Sequence, residues 1–304
     1  MEDVVNHPLI EVFTNAGVKR IDGYVGQFTT VLESMGRERE LSHGVVVLAT
    51  GARERKPREY LYGDHGSVLT QMELEELLQR GGEQLKGKKN IVMIQCVGSR
   101  DEERPYCSRV CCNQAIKNAL ALKEMDPDRN ITILYRDIRA YGLHETDYRR
   151  ARRAGIQFIR YEPDRKPVVR ELDGRLRVEV YDDILDASLS VTPDLLVLSA
   201  AIEPPLDENK RIAQMLKVPL NQDGFFLEAH AKLQPVDFAT DGVFLCGLAH
   251  APKNLQESIA QGRGSSRQGG DRDFKGFPGD GRGHCPGFGA GLHGLWNLRK
   301  GMCL

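Results

Sequence analysis

The chain has 304 residues, 40% hydrophobic and 28% charged, which is enough apolar material for a core and excludes a wholly disordered protein. Its 42 lysine and arginine residues nearly balance 43 aspartate and glutamate residues, and this net charge of −1 argues against a dedicated nucleic-acid-binding protein. No segment approaches the roughly 18 consecutive apolar residues of a membrane span. The opening residues, MEDVVNHP, lack the basic and apolar regions of a signal peptide, so we expect a cytoplasmic protein.

Apolar runs near the start of the chain predict two kinds of strand. Residues 8–34 alternate apolar and polar positions between Asn-Ala-Gly and Asp-Gly turns, which is typical of antiparallel strands. The run GVVVLATGA at residues 44–52 is continuously apolar and ends in small residues. It suits a strand buried on both faces of a parallel sheet, with Gly51 allowing a ligand to approach the backbone closely.

The middle of the chain alternates predicted strands and helices. Strands are predicted at residues 90–95, 130–135, 156–160, 176–181, 185–192 and 194–201, and helices at 71–79 and 113–123. A strand, loop, helix and strand in this order form the βαβ unit of dinucleotide-binding folds. The sequence therefore predicts an α/β fold with two nested dinucleotide-binding-like domains, built from parallel sheets and antiparallel crossover strands.

The pattern also gives domain boundaries. Residues 1–55 and 215–262 are predicted to form one partial domain, and residues 56–214 the second. A strand at 242–247 and a helix opening at 255–261 return to the first domain, and the helix start would present backbone N–H groups to a phosphate or ring oxygen. Residues 263–304 hold 12 of the 31 glycines without apolar periodicity, so this tail is predicted to be disordered.

Four of the seven cysteines lie in one short segment, CVGSRDEERPYCSRVCC at residues 96–112. In a cytosolic chain such a cluster favours metal binding or redox chemistry over structural disulfides. The segment follows a predicted strand, where a dinucleotide-binding domain carries G-x-G-x-x-G. Only one glycine, Gly98, is present, which argues against a nicotinamide dinucleotide here.

The spacing C-x10-C-x3-C-C matches neither the common zinc ribbon nor the bacterial ferredoxin run. Adjacent cysteines fit the larger cube of a [4Fe–4S] cluster better than one tetrahedral zinc ion, and nearby arginines would offset its negative charge. Zinc stays an alternative, as do free thiols that merely line a strand-to-helix turn.

Taken together, the sequence resembles the A-subunit family of heterodisulfide reductases, which are flavin- and iron–sulfur-containing proteins. The resemblance covers about residues 5–262. It rests on segments including GYVGQF (23–28), VVLATGA (46–52), TQMELEELL (70–78), the cysteine segment with its preceding glutamine (95–112), NQAIKNAL (113–120), ILYRDIRAYG (133–142), VPLNQDGFF through LAHAPK (218–253) and ESIAQ (257–261).

This resemblance implies a thioredoxin-reductase-like module that binds FAD and one [4Fe–4S] cluster. The cluster would be ligated by Cys96, Cys107, Cys111 and Cys112. The FAD-binding positions implied are Thr50, Gly51, Gly247, Glu257, Ser258, Ile259 and Ala260. The implied role is electron transfer within an oligomeric complex, alongside other heterodisulfide-reductase-like subunits and a hydrogenase or ferredoxin-type carrier.

Two departures from the family pattern give further expectations. Family members begin with a strand and G-x-G-x-x-G motif that hold FAD, and their absence predicts a chain truncated at its N-terminus. The family also continues past ESIAQ with an alanine-rich helix and ferredoxin-like cysteines. Shifting the frame by one nucleotide after about residue 262 can encode both, so we hypothesise that residues 263–304 are an out-of-frame translation.

Other functions remain open from the sequence. One alternative is a pyridine-nucleotide disulfide oxidoreductase that uses two of Cys107, Cys111 and Cys112 as a redox-active dithiol; another is a non-functional fragment. No Ser/His/Asp set or carboxylate pair points to hydrolysis, and no catalytic residue is assigned. His250, shortly after Gly247, is the one histidine placed to tune a flavin.

Overall fold

The computed structural model describes residues 2–275 and 301–303. The chain divides into two compact units. Unit 1 comprises Met1–Ala52 and Pro204–Leu304, and unit 2 is Arg53–Glu203, inserted between the two parts of unit 1. The sequence placed these boundaries after residues 55 and 214. The second lies earlier in the structure because the helix that begins at Leu206 packs within unit 1.

The described residues form α-helices and β-strands, together with two single-turn 3-10 helices at Glu83–Leu85 and Gly247–Ala249. The helices are α1 (Glu2–Val5), α2 (Gln71–Gln79), α3 (Cys111–Met125), α4 (His144–Arg153), α5 (Leu206–Leu216) and α6 (Leu255–Lys275). The strands are β1 (Ala16–Asp22), β2 (Phe28–Ser34), β3 (Arg37–His43), β4 (Val45–Leu48), β5 (Arg53–Glu54), β6 (Val68–Thr70), β7 (Asn90–Val97), β8 (Asn130–Tyr135), β9 (Gln157–Arg160), β10 (Val168–Leu172), β11 (Arg175–Asp182), β12 (Ala187–Val191), β13 (Leu195–Ala200), β14 (Ile202–Glu203), β15 (Val243–Leu245) and β16 (Gly301–Cys303).

Unit 1 combines an antiparallel and a parallel sheet. β1, β2 and β3 form an antiparallel meander; the alternating pattern at residues 8–34 predicts β1 and β2, but residues 8–15 lie outside the meander and β3 was not predicted. β4 pairs in parallel with β15 and with β16. All four residues of β4 are buried, which agrees with the continuous apolar run expected of a strand covered on both faces.

Helix α6 extends beyond the predicted segment. The sequence predicts disorder from residue 263, but residues 263–275 continue the helix and residues 301–303 form a strand. The helix persists because its small residues allow close packing: the buried Ser265 hydroxyl donates to the Leu245 carbonyl oxygen at 2.7 Å, and a Cβ on Gly269 would lie 3.4 Å from Val45. Tertiary contacts thus override the low helix propensity of glycine. The rest of the predicted tail, residues 276–300 and 304, lies outside the described residues.

Unit 2 is built on a five-stranded parallel sheet in the order β6-β13-β7-β8-β9. One face packs against α2, α3 and α4 through a core that includes Met93, Ala119 and Val197. The other face packs against the antiparallel sheet β10-β11-β12 through Ile94, Val178 and other apolar residues. This confirms the α/β class, with parallel sheets and antiparallel strands, that the sequence predicts.

Local sequence fixes the helix next to this sheet. α2 begins directly after β6, where the buried Thr70 accepts a hydrogen bond from the Glu73 N–H and the Glu73 side chain accepts one from the Thr70 N–H. This reciprocal capping box satisfies two backbone donors that the helix itself cannot satisfy. Among the described residues, no helix is long and apolar enough to cross a membrane.

Candidate functional site

The cysteine loop, residues 96–112, begins at a bulge in the central strand of unit 2. On β7 and β13, Ile94 pairs with Leu198 and Val97 pairs with Ala200, so β7 contains one residue more than its neighbour. Cys96 lies in this bulge and has a positive φ of 60°. A non-glycine residue in the left-handed region is uncommon, and such positions concentrate at functional sites.

The bulge changes which residue occupies each face of the sheet. Met93 packs in the core shared with α3, whereas Ile94 packs in the core of the opposite face. Uninterrupted alternation would place Cys96 with Ile94. The extra residue gives that place to Val97, which packs with Ile94, and frees Cys96 from the apolar core. The sequence pattern did not reveal this rearrangement.

The rest of the loop is folded back by backbone hydrogen bonds. The Arg100 N–H donates to the Tyr106 carbonyl oxygen at 3.1 Å, which closes a small turn between Cys96 and Cys107. Two side chains anchor the loop to β14: the Tyr106 hydroxyl donates to the Ile202 carbonyl oxygen, and the Ser108 hydroxyl accepts from the Ile202 N–H, both at 3.0 Å.

Helix α3 supplies the last two cysteines. Cys111 and Cys112 form its first turn and are both buried, while Cys96 and Cys107 are partly exposed. The Cys107 sulfur accepts a 3.3 Å hydrogen bond from the Arg109 N–H, and Arg109 has a positive φ of 59°. In a βαβ unit the helix N-terminus lies at the carboxyl end of the preceding strand, which brings these cysteines to the bulge.

Electrostatic coupling shows that the four thiols form one cluster. Burial, followed by the neighbouring Cys112 thiol, raises the pKa of Cys96 to about 11. Interaction with the adjacent Cys112 thiol, followed by burial, raises the pKa of Cys111, and the same interaction lowers the pKa of Cys112 to about 7. The Cys107 thiol contributes to the raised pKa of both Cys96 and Cys111. The structure therefore brings together all four cysteines that the sequence singled out.

Positive charge surrounds this thiol cluster. The Arg100 guanidinium opposes the rise in the pKa of Cys96 and hydrogen-bonds the Asp137 carboxylate, which also accepts a 3.0 Å hydrogen bond from Arg139 Nε. Arg136 donates to the Arg100 carbonyl oxygen at 2.7 Å, which fixes the loop against the end of β8. These arginines would offset the charge of an anionic group held by thiolates.

Buried polar side chains without a partner flank the cysteines. Within the described residues, the amide atoms of Gln95 and Asn113 and the hydroxyl of Ser199 are buried and make no hydrogen bond. Gln95 precedes Cys96, Asn113 follows Cys112, and Ser199 is on β13 between the residues that bracket the bulge. Since buried polar groups are nearly always paired, three orphans at one place indicate that a polar partner belongs there.

The cysteine side chains are not arranged as a finished metal site. Among the described residues, no set of three His, Cys, Asp or Glu side chains has the spacing needed to hold a metal ion. The Cys112 thiol donates instead to the Asp137 carbonyl oxygen at 3.9 Å. The donor set is chemically suited to a soft metal, because thiolates select zinc, copper(I) and iron–sulfur clusters.

The predicted flavin-side residues of unit 1 lie at the carboxyl edge of the parallel pair β4 and β15. The Cys246 N–H donates to the Leu48 carbonyl oxygen at 3.0 Å, so Thr50 and Gly51 follow one strand where Gly247 follows the other. Both glycines have positive φ values, 73° and 66°, and a Cβ on either would meet no atom within 4 Å. Open space beside a left-handed glycine permits a ligand to approach the backbone.

Sequence reasoning missed a buried lysine at this edge. Lys253 is only 7% exposed, and its ammonium donates to the carbonyl oxygens of Gly247 at 2.7 Å and Ala251 at 3.2 Å. Buried lysines are rare in folded proteins, so this positive charge beside Gly247 is a distinctive feature of the edge. Lys253 follows Gly247 by six residues in a loop, and a single lysine in a loop gives no periodic sequence signal.

The start of α6 differs from the expected open helix terminus. Asn254 and Glu257 cap each other: the Glu257 N–H donates to Asn254 Oδ1 at 2.8 Å, and the Asn254 N–H donates to Glu257 Oε2 at 3.0 Å. The Ser258 N–H is bonded to the Asn254 carbonyl oxygen at 3.0 Å. Glu257 and Ser258 therefore do not supply the free N–H donors that the sequence predicts, and Ile259 and Ala260 lie further inside the helix.

His250 belongs to a polar network behind the same edge. Its Nε2 lies 2.8 Å from Glu228 Oε2, and its Nδ1 lies 2.8 Å from Gln261 Nε2. Burial, followed by the Lys253 ammonium, lowers the pKa of His250. The imidazole is therefore held in place by residues from three segments of unit 1.

No protein-family model matches the chain. Curated relatives do match it. It is 38% identical over 246 residues to the A subunit of the H2:CoB–CoM heterodisulfide, ferredoxin reductase of Methanothermobacter thermautotrophicus, a match that covers 75% of the chain and 37% of that relative. The A subunit of the ferredoxin:CoB–CoM heterodisulfide reductase of Methanosarcina acetivorans is 39% identical over 266 residues, covering 73% and 32%.

The matched stretch is thus similar to the A subunits of CoB–CoM heterodisulfide reductases. The corresponding protein of Methanococcus maripaludis is 31% identical and extends the match to 88% of the chain and 54% of that relative. The chain thus spans between about a third and a half of the length of these relatives.

Solved structures confirm the thioredoxin-reductase-like fold. The chain superimposes on Lactococcus lactis thioredoxin reductase with a TM-score of 0.53 and 18% identity, covering 86% of this chain and 73% of that one. The NAD-dependent persulfide reductase of A. fulgidus gives a TM-score of 0.50 and 18% identity, covering 84% and 44%. At these identities the likeness shows the fold.

Proposed function

We propose that the chain is a FAD- and [4Fe–4S]-dependent electron-transfer subunit of a heterodisulfide-reductase-like complex, acting as an oxidoreductase component. Cys96, Cys107, Cys111 and Cys112 would hold the cluster. The observation that carries the proposal is the convergence of these four thiols at one strand-to-helix turn, in a homologue of the heterodisulfide reductase A subunits.

The residues present fit such a group. Ligation requires deprotonated sulfur, and the Cys112 thiol, with a pKa near 7, loses its proton most easily. Metal binding would replace the hydrogen bond that the Cys112 thiol donates to the Asp137 carbonyl oxygen. The orphaned polar atoms and the positive arginines around the loop suit an anionic, hydrogen-bond-accepting occupant.

FAD is proposed to lie at the edge formed by Thr50, Gly51 and Gly247. When bound, the flavin supplies the exchange between two-electron and one-electron transfer. The two glycines would admit it to the backbone, and the Lys253 ammonium would add a buried positive charge. The Thr50 hydroxyl, which donates to Asn209 Oδ1 at 3.2 Å, is held at the strand end.

Partners are inferred from the relatives' names, which mention H2, formate, ferredoxin and F420H2 as well as CoB–CoM heterodisulfide. We propose that this chain works with other subunits of such a complex and with a hydrogenase or ferredoxin-type carrier. A cytoplasmic setting belongs to the proposal, because the four cysteines of residues 96–112 are free thiols and a reducing compartment preserves them.

The test is anaerobic reconstitution of the full chain with iron, sulfide and FAD. We expect iron and acid-labile sulfide in a 1:1 ratio, about four of each per chain as a [4Fe–4S] cluster requires, together with a flavin absorption spectrum. Cys112→Ser should lose most of the iron, whereas Cys246→Ser, a partly buried cysteine outside the cluster, should keep it. Wild-type protein that binds neither iron nor sulfide would rule the proposal out.

A second candidate function follows from the Cys111 and Cys112 pair. A buried thiol with a raised pKa next to one with a lowered pKa is an arrangement suited to a redox-active dithiol. This function predicts no iron, two thiols titrated reversibly by oxidants, and oxidation of NADH or NADPH. Zinc in place of iron would instead give a colourless, redox-inactive protein.

A further inference from the structure

The orphaned side chains beside the bulge carry an inference that rests on the proposed function. Gln95 is fully buried and Ser199 is 1% exposed, yet within the described residues neither the Gln95 amide nor the Ser199 hydroxyl has a hydrogen-bond partner. Leaving a buried polar group unpaired costs about 1–3 kcal/mol. Two such unpaired groups on neighbouring strands would lower the stability of the fold substantially unless a bound group forms hydrogen bonds with them.

The strand pattern places both side chains on the helix side of the sheet. Met93 on β7 and Val197 on β13 pack in the core that contains α3, and each lies two residues before one of the orphans. Because side chains two apart on a strand share a face, Gln95 and Ser199 are on the α3 side. They are also at the carboxyl ends of their strands, where α3 begins with Cys111 and Cys112.

Another buried glutamine on the same face, Gln71, has the hydrogen-bond partners that Gln95 lacks. Gln71 is also fully buried, but its Oε1 accepts a 2.9 Å hydrogen bond from Asn118 Nδ2 and its Nε2 lies 3.5 Å from Met93 Sδ. Both polar atoms of the Gln71 amide therefore have a partner, whereas neither polar atom of the Gln95 amide, beside the cysteine loop, has one among the described residues.

We propose that the Gln95 amide N–H and the Ser199 O–H donate hydrogen bonds to sulfur atoms of the cysteine-bound cluster and raise its reduction potential. Both are positioning and tuning residues that do not ligate the metal. Reduction adds one negative charge to the cluster, and donors aimed at its sulfur atoms stabilise the reduced form more than the oxidised form. Removing either donor therefore shifts the midpoint potential to a more negative value.

The experiment uses the full chain, reconstituted anaerobically, with the midpoint potential measured by electron paramagnetic resonance during a redox titration. Gln95→Met and Ser199→Ala should each keep the wild-type iron and sulfide content and shift the midpoint to a more negative potential. The double variant should shift it further than either single variant. Gln71→Met, the matched control, should leave the midpoint unchanged.

Stability of the cluster-free chain gives a second readout. Gln95→Met should unfold at a urea concentration equal to or higher than wild type, because it removes an unsatisfied amide. Gln71→Met should unfold at a lower concentration, because it removes the hydrogen bond from Asn118 Nδ2 to Gln71 Oε1 and leaves Asn118 Nδ2 only its bond to the Gln71 carbonyl oxygen. Wild-type midpoints in both Gln95→Met and Ser199→Ala would overturn the inference and point to a buried water as the partner. Absence of a cluster from the wild-type chain would instead overturn the proposed function.

Discussion

The Tyr161 hydroxyl donates a 2.7 Å hydrogen bond to the backbone carbonyl oxygen of Gln95, the residue before the bulge. Tyr161 is 3% exposed and packs in the core on the face opposite α3. A bulge takes backbone groups out of the regular ladder, and this phenol satisfies one of them. A side chain of the face opposite α3 thus holds the backbone immediately before Cys96.

We expect Tyr161→Phe to lower the free energy of unfolding by about 1–3 kcal/mol, because the Gln95 carbonyl oxygen stays buried and loses its donor. Urea unfolding of the cluster-free chain measures this change. Tyr181→Phe is the control, since its solvent-accessible hydroxyl bonds Asp186 at the surface and its loss should change the free energy of unfolding by less than about 0.5 kcal/mol. Equal effects of the two variants would contradict the assigned role of Tyr161.

The sequence predicted α2, α3 and most strands of unit 2, but not α4, β6, β10 or the bulge. α2 and β8 lie at the residues expected from their periodicity, because buried apolar positions impose a period of 3.6 or 2. A bulge breaks that period by one residue. The position of Cys96 depends on how β7 pairs with β13, about a hundred residues further along the chain. The local sequence pattern around Cys96 does not predict that pairing.

The candidate site was predicted in outline. Four closely spaced cysteines are a strong local signal, and the structure brings them together. The orphaned Gln95 and the buried Lys253 leave no such signal, because their significance depends on what the fold places around them. The capping residue Asn254, three positions before Glu257, is a signature that could have been recognised at the start of α6. The out-of-frame origin of residues 263–304 stays a prediction.

The Thr70 cap of α2 should be worth about 1 kcal/mol. Thr70→Ala removes the hydroxyl that accepts from the Glu73 N–H, and it loosens the reciprocal bond of the capping box. We expect the free energy of unfolding to fall by that amount. Thr70→Ser keeps the hydroxyl and should restore most of the difference, so a serine variant as unstable as the alanine variant would show that the lost methyl packing, and not the cap, is responsible.

Gly247→Ala tests the proposed flavin edge. The residue has a φ of +66° with open space beside it, so alanine adds backbone strain of about 1 kcal/mol but no collision within the chain. If FAD approaches the backbone there, the added methyl group occupies its space, and the variant should retain much less FAD after desalting. Gly63→Ala, at another open glycine with a φ of +87°, adds comparable strain elsewhere and should retain FAD as wild type does. Equal retention by both variants would place FAD away from Gly247.

The His250 network should make unit 1 sensitive to mild acid. Burial and the Lys253 ammonium lower the pKa of His250 below its ordinary value of 6.5, although Glu228 opposes this shift. The unfolded chain then binds a proton on this imidazole at a higher pH than the folded chain does. The free energy of unfolding should consequently fall as the pH drops below about 6.5, towards the lower pKa of the folded state.

Urea unfolding between about pH 8 and pH 5 measures this dependence, across the ordinary histidine pKa. His250→Gln removes the titrating group and should flatten the fall in the free energy of unfolding below pH 6.5. His7→Gln, which removes a histidine of the same unit outside the network, should keep the wild-type slope. If His250→Gln and wild type lose stability equally on acidification, protonation of His250 does not govern the acid sensitivity of unit 1, and the carboxylates must account for it.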